Sequence, residues 1–313
     1  MLDLPAPRKL HIRPTPLLGG LATFVAFAIA TALFLRPVVP GQMALLLVGA
    51  AVFGLLGLLD DLWDVGAWKL VAEAVVVTGI VWLGGFQINL PWPGSGAILA
   101  ILWILGVANA VNCLDCADGI APGIALIGGL ALTGLAIALG RWGVAVAAAA
   151  MAGASLGFLR HNFPPAKIFL GDAGSLMIGF LLASLSAALA APRVSSEWAA
   201  PLLILGIPVL DFLFVHVRRY QQGIRNPLKL ITSTGKDHLP HRLLQAGFSK
   251  RETAVRVYIL STAMAIIGIV LALWGPIVAA LLAAPLLPTG LCLPWGAGKL
   301  PERLGRLENP DRL

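Results

Sequence analysis

The chain has 313 residues, of which 58% are hydrophobic and only 12% charged, with a mean hydropathy of +0.89 and a formal net charge of +7. This excludes a soluble domain built on one large core and fits a multispanning membrane protein. No nucleic-acid partner is expected. The basic excess suits membrane topology and lipid headgroups.

A spanning helix needs about 20 mostly apolar residues. Ten such segments are predicted, at about 19–36, 41–59, 67–85, 96–113, 122–139, 142–159, 168–191, 198–216, 255–273 and 276–293. The expected fold is therefore an all-α polytopic membrane protein of a single domain. No cleavable leader is expected, because the first apolar run lacks a small-residue cleavage site and nine more runs follow it. If the N-terminus is cytoplasmic and every segment crosses once, 19 of the 22 Lys and Arg residues fall on the cytoplasmic side, leaving Arg36, Arg141 and Arg193 outside. The cytoplasmic parts are then about 1–18, 60–67, 109–121, 160–168, 217–254 and the tail 294–313.

Most of the unusual polar chemistry gathers on that side. In LLDDLWD a continuing helix would set Asp60 and Asp64 on one face, with Asp61 about 100° away. Like charges at that spacing repel, so a cation or a basic partner is needed to make them favourable. In NAVNCLDCADG, residues Asn109, Asn112, Asp115 and Asp118 recur at every third position, and a helix or tight turn would align them as a ladder of oxygen ligands. In FLGDAGSLMIGF, Asp172 opens a helix whose free amide groups favour anions. Asp211 is the one notable acid expected away from the cytoplasmic ends. Finally, GKDHLPHRLL gathers Lys236, His238, His241 and Arg242, cationic or hydrogen-bonding groups suited to phosphate.

Oxygen-only ligands point to Mg²⁺ or Mn²⁺, which would use one or two carboxylates together with substrate phosphate oxygens. Cys113 and Cys116 form C-x-x-C without a second pair or a nearby His in sequence, so they and Cys292 are read as packing residues. Carboxylates, a metal and a basic loop on one side of a membrane make a site for phosphate chemistry.

These motifs, in this order and over nearly the whole chain, resemble those of the polyprenyl-phosphate N-acetylhexosamine-1-phosphate transferases, the MraY/WecA superfamily of glycosyltransferase family 4. The resemblance runs from DLPAPRKLHIRPTPLLGGLA to DHLPHRLLQAGFS. It implies transfer of an N-acetylamino-sugar 1-phosphate from a UDP-sugar to undecaprenyl or another polyprenyl phosphate, releasing UMP at the cytoplasmic face of the plasma membrane. It also implies that Asp60 and Asp61 are at the catalytic centre, that Asp115 and Asp118 serve catalysis or the nucleotide, and that Asn112 and Asp172 hold Mg²⁺ and diphosphate. Lys69 matches a lysine that holds lipid phosphate, while His238, His241 and Arg242 match a sugar-nucleotide motif. Asn109 and Asp64 are taken as substrate-binding, and Asp64 points to the WecA-like branch, with UDP-N-acetylglucosamine as donor and a cell-envelope glycan as destination. Relatives usually have Gly at the Cys116 position, one more His in the histidine motif, and a spanning helix before RKLH. A phospho-N-acetylmuramoyl-pentapeptide transferase, a homodimer and, in another class, a secondary transporter of an anion stay open.

Two routes are compatible with these residues. The lipid phosphate, mostly dianionic at neutral pH, attacks the β-phosphorus directly, with Asp60 accepting a proton or orienting it. Alternatively, an aspartate forms a covalent phosphoryl intermediate.

Overall fold

The computed structural model describes residues 2–3, 14–34, 40–63, 65–88, 95–190, 199–232 and 235–283. As far as they are described, the predicted segments fall on helices, residues 284–293 of the last lying outside the described residues: α1 Gly19–Phe34, α2 Pro40–Trp63, α3 Trp68–Gly84, α4 Gly96–Leu114, α5 Ile120–Ala138, α6 Trp142–Asn162 and α7 Gly171–Leu189. After these come α8 Ala199–Ile204, α9 Gly206–Gln221, α10 Pro227–Thr232, α11 Leu239–Gln245, α12 Lys250–Trp274 and α13 Pro276–Ala283. Six of them, α2, α4, α5, α6, α7 and α12, are long and apolar enough to cross a membrane, and α1 is a shorter apolar helix. The chain is thus an all-helical polytopic membrane protein. A two-residue antiparallel pairing of Leu2–Asp3 (β1) with Thr15–Pro16 (β2) is the one sheet among the described residues.

The segment predicted at 198–216 is two helices. Pro208 has no N–H to bond back to Ile204, and its ring crowds that carbonyl, so α8 stops at Ile204 and α9 restarts at Gly206. At the other end of the cytoplasmic loop, α12 begins at Lys250, five residues before the stretch predicted at 255–273. Ser249 and Glu252 form a capping box that closes its first turn.

Helix α7 is the axis of the bundle. Some 83% of its apolar window is buried inside the protein, against 28% for α2. It packs on α1, α2, α4, α5 and α6, so its small residues let backbones come close. A Cβ on Gly179 would lie 2.7 Å from Ala108 Cα of α4. Phe53 and Phe180 stack across α2 and α7 at 4.6 Å, and Trp103 Nε1 donates to Ser186 Oγ at 2.8 Å. The N-terminus of this central helix, and Asp172 with it, therefore lies in the middle of one end of the bundle. The Gly19 and Gly20 amides donate to Phe169 and Leu170, which ties the start of α1 to the link that enters α7.

Candidate active site

The end of α2, the start of α3, the end of α4 and the start of α7 converge. Lys69 Nζ of α3 lies 2.5 Å from Asp60 Oδ2 of α2 and 3.5 Å from Asp172 Oδ2 of α7. The Val65 amide donates to Asp60 Oδ1 at 2.9 Å. Asn112 Nδ2 of α4 donates to Asp172 Oδ1 and to Ser175 Oγ, both at 2.9 Å. Asp61 caps α7 from another helix: its two oxygens accept from the Asp172 amide at 3.1 Å and the Ala173 amide at 3.2 Å. The free amides predicted at the start of α7 thus already face an anion. The turn into α7 passes through Gly171 at φ +74°, where a Cβ would lie 2.7 Å from Asp61 Oδ2, so glycine is required twice over.

The Asn/Asp motif does not form the single ladder predicted from its spacing. Helix α4 ends at Leu114, and the chain turns through Asp115 to Gly119 at φ +79° before α5 begins. Asn112 faces Asp172, whereas Asn109 Nδ2 donates to Glu73 Oε2 of α3 at 2.6 Å and to the Leu105 carbonyl at 3.0 Å. Asp118 Oδ2 accepts from Lys250 Nζ of α12 and from the Ala166 amide, both at 3.2 Å. Asn162 supports the same turn by accepting from the Gly119 amide at 2.9 Å, and Tyr258 donates to the Gly119 carbonyl at 2.6 Å.

A cavity of about 370 Å³ opens over this end and is lined by Asp61, Asp115, Cys116, Asp118, Asn162, Asp172 and His241, with Asp3 and Leu17 on its wall. Burial, and then the charges of Asp172, Asp61 and Asp118, push the Asp115 carboxyl well above its ordinary value. Burial and then the positive His238 and Lys236 lower His241, so it faces the cavity as a neutral imidazole at pH 7.

The rest of the basic loop is used differently. His238 Nδ1 lies 2.7 Å from Asp211 Oδ2, the Leu239 amide donates to Asp211 Oδ1 at 2.7 Å, and Arg242 Nη2 donates to the same oxygen at 3.3 Å. Arg242 also stacks over Phe214, 4.3 Å from the ring centre. Burial alone would lower His238, but its hydrogen bond to Asp211, together with Cys113 and the Asp211 charge, outweighs it and raises the imidazole to about 9. Arg219 of α9 grips Asp237 with two bonds of 2.8 Å, which holds the Asp237 carboxyl below its ordinary range despite partial burial. Of the histidine motif, His241 reaches the cavity, while His238 and Arg242 bind Asp211.

Asp64 lies outside the described residues, as does Cys292. Cys113 and Cys116 are free thiols. Glu73 and Asn162 escaped the sequence analysis. A charged residue in the apolar run VAEAVVV, four positions after Lys69, was the available signal for Glu73; Asn162 gave none.

Among the described residues no three His, Cys, Asp or Glu side chains form a ready-made metal nest. The donor set nevertheless suits Mg²⁺, which asks few ligands of a protein when substrate phosphates complete its octahedron. Around Lys69 the carboxylates outnumber the cations, and the Asn112 amide is turned by its bonds to Asp172 and Ser175.

A glycosyl transferase family 4 profile matches residues 43–190. The chain is 35% identical over 297 residues to the decaprenyl-phosphate N-acetylglucosaminephosphotransferase of Mycobacterium tuberculosis (strain ATCC 25618 / H37Rv), covering 82% of this chain and 72% of that one. It is 32% identical over 287 residues to a probable undecaprenyl-phosphate N-acetylglucosaminyl 1-phosphate transferase of Bacillus subtilis (strain 168), covering 86% and 77%. To the phospho-N-acetylmuramoyl-pentapeptide-transferase of Desulforamulus reducens it is 28% identical over 285 residues, covering 82% and 81%.

Proposed function

Because this chain belongs to glycosyl transferase family 4, we propose that it transfers N-acetylglucosamine 1-phosphate from UDP-N-acetylglucosamine to undecaprenyl or another polyprenyl phosphate. The products are polyprenyl-diphospho-N-acetylglucosamine and UMP, and the step begins a cell-envelope glycan. The 35% and 32% identities to the Mycobacterium tuberculosis and Bacillus subtilis N-acetylglucosamine enzymes, against 28% to the pentapeptide transferase, support this choice of sugar. The distribution of basic residues supports a site on the cytoplasmic face of the plasma membrane, with both termini cytoplasmic.

The observation that carries the reading is the cluster of Asp60, Lys69, Asn112 and Asp172 beside an open polar cavity at the ends of four helices. A transporter site is typically found near the bilayer midplane on broken helices. This cluster instead lies where a lipid phosphate at the membrane surface and a water-soluble nucleotide sugar can meet.

The residues then divide the work. The lipid phosphate, largely dianionic at pH 7, needs little help from a base. Lys69 balances its charge, and Asp60 orients it or takes its remaining proton. Both oxygens of Asp60 and of Asp61 already have donors, which favours direct attack on the β-phosphorus over a covalent aspartyl phosphate. Asp61 keeps the first turn of α7 in place, so Asp172 stays at the centre. Asp172 and Asn112 are the residues to hold Mg²⁺, whose contribution when bound is to neutralise diphosphate charge. His241, neutral at the cavity wall, offers a hydrogen bond to the sugar nucleotide, while Asp115 and Asp118 line its far side.

Purified protein in detergent, given UDP-N-acetylglucosamine and undecaprenyl phosphate, should release UMP only when both are present. Turnover with UDP-MurNAc-pentapeptide instead would reassign the sugar, and no product with any UDP-sugar would sink the reaction.

A further inference from the structure

We infer that Glu73 and Asn109 form a polar rung, one turn deeper in the bundle than the aspartate cluster, which sets the register of α3 against α4 and so positions Lys69 for transfer. The inference rests on the reaction proposed above. Four residues separate Lys69 from Glu73 on α3, and three separate Asn112 from Asn109 on α4, so each pair shares a helix face about 5–6 Å apart. The shallow pair, Lys69 and Asn112, meets at Asp172. The deep pair meets directly, with Asn109 Nδ2 donating to Glu73 Oε2 at 2.6 Å.

Folding does not require this rung. Glu73 is wholly buried, at 0% exposure, in the apolar run VAEAVVV, and its Oε1 has no partner among the described residues. A carboxyl in that setting costs stability, and an aliphatic pair would pack there without it. What the polar rung adds is direction. Leucines would tolerate rotation of α3 on α4, whereas one short hydrogen bond does not. A slip of one residue would turn Lys69 by about 100° and shift it by about 1.5 Å along the axis. Its ammonium would then leave both Asp60 and Asp172. Glu73 is on this view a positioning residue, acting through Lys69 and Asn109 without touching substrate.

The test is a double-mutant cycle on the full chain in detergent, with Glu73→Leu, Asn109→Leu and the pair. Each single change should lower kcat about 100-fold, the usual scale for misplacing a reacting group by an ångström. The double variant should be no slower than the slower single, because both remove one rung. Melting temperatures of Glu73→Leu and of the double variant, which remove the buried carboxyl, should stay near wild type, and Glu73→Gln, which keeps an acceptor for Asn109, should recover kcat to within about tenfold. Additive losses, unchanged kcat in Glu73→Leu, or a melting temperature that collapses with activity would each overturn the inference. A wild-type chain without turnover would sink the reaction itself, and this inference with it; turnover with an additive cycle would sink the inference alone.

Discussion

Two groups of carboxylates and cations meet in this molecule, and they are balanced in opposite ways. Around Lys69, the acids Asp60 and Asp172 share one ammonium, with Asp61 and Asp115 close by. Around Asp211, one acid serves two buried cationic groups, His238 at 5% exposure and Arg242 at 8%. Arg219 and Asp237 close the same loop as a matched pair. The first group keeps a surplus of negative charge beside an open cavity, as a centre for a cation and phosphates needs. The second is tied together by Asp211, which accepts from His238, the Leu239 amide and Arg242, and these side chains do not line that cavity. It is a joint that fastens the loop to α9 and delivers His241 to the cavity. Similar residue types thus give the candidate reactive centre in one place and a fastening in the other, and the local charge balance distinguishes them.

Removing divalent metal should separate the two most sharply. EDTA should abolish UMP release, and Mg²⁺ or Mn²⁺ should restore it, while the pH dependence of melting stays the same with and without chelator. Full activity in EDTA would show that the acidic group needs no cation. Next in size is Asp60→Asn, expected to lower kcat by about 10²–10⁴ as for loss of a base. Under direct attack the loss should shrink as pH rises, because the acceptor phosphate then deprotonates without help. Loss at every pH, together with one UMP released per enzyme in a lipid-free preparation, would establish the covalent route instead.

The joint should respond through stability more than chemistry. Asp211→Ala leaves buried His238 and Arg242 without their carboxylate and should destabilise the protein by about 3–5 kcal/mol, the usual range for breaking a buried pair from one side. Because Asp211 raises His238 to about 9, the stabilisation is fully present below the ordinary histidine value of about 6.5 and is lost as pH rises through 9. The melting temperature of the wild type in detergent should therefore fall between about pH 6.5 and 9, and Asp211→Asn should flatten that slope. A wild-type melting temperature independent of pH over this interval would show that the joint does not hold a charged imidazole.

Local pattern made much of this protein legible in sequence. Runs of apolar residues located the helices, because backbone groups in hydrocarbon must bond within their own segment. The acidic clusters at helix ends marked the candidate site, because charge is expensive anywhere deeper. Pro208 carried enough information to break the segment at 198–216, but the hydropathy of that stretch concealed it. The ladder of Asn109, Asn112, Asp115 and Asp118 was a sound reading of spacing that failed where α4 stopped at Leu114 and the chain left helical geometry.

What tertiary structure alone decided is which partner each polar group takes. Nothing near Asp61 in the chain indicates that it caps α7, 111 residues away. Nothing near His238 or Arg242 indicates that they bind Asp211 while His241 turns to the cavity. Nothing near Asn109 in the chain indicates that Glu73 of α3 takes its amide. The physical reason is that hydropathy and periodicity report on a residue's own helix, whereas hydrogen bonds and ion pairs are satisfied between helices. Their energies depend on the packing of α7 at the centre, which no single segment encodes.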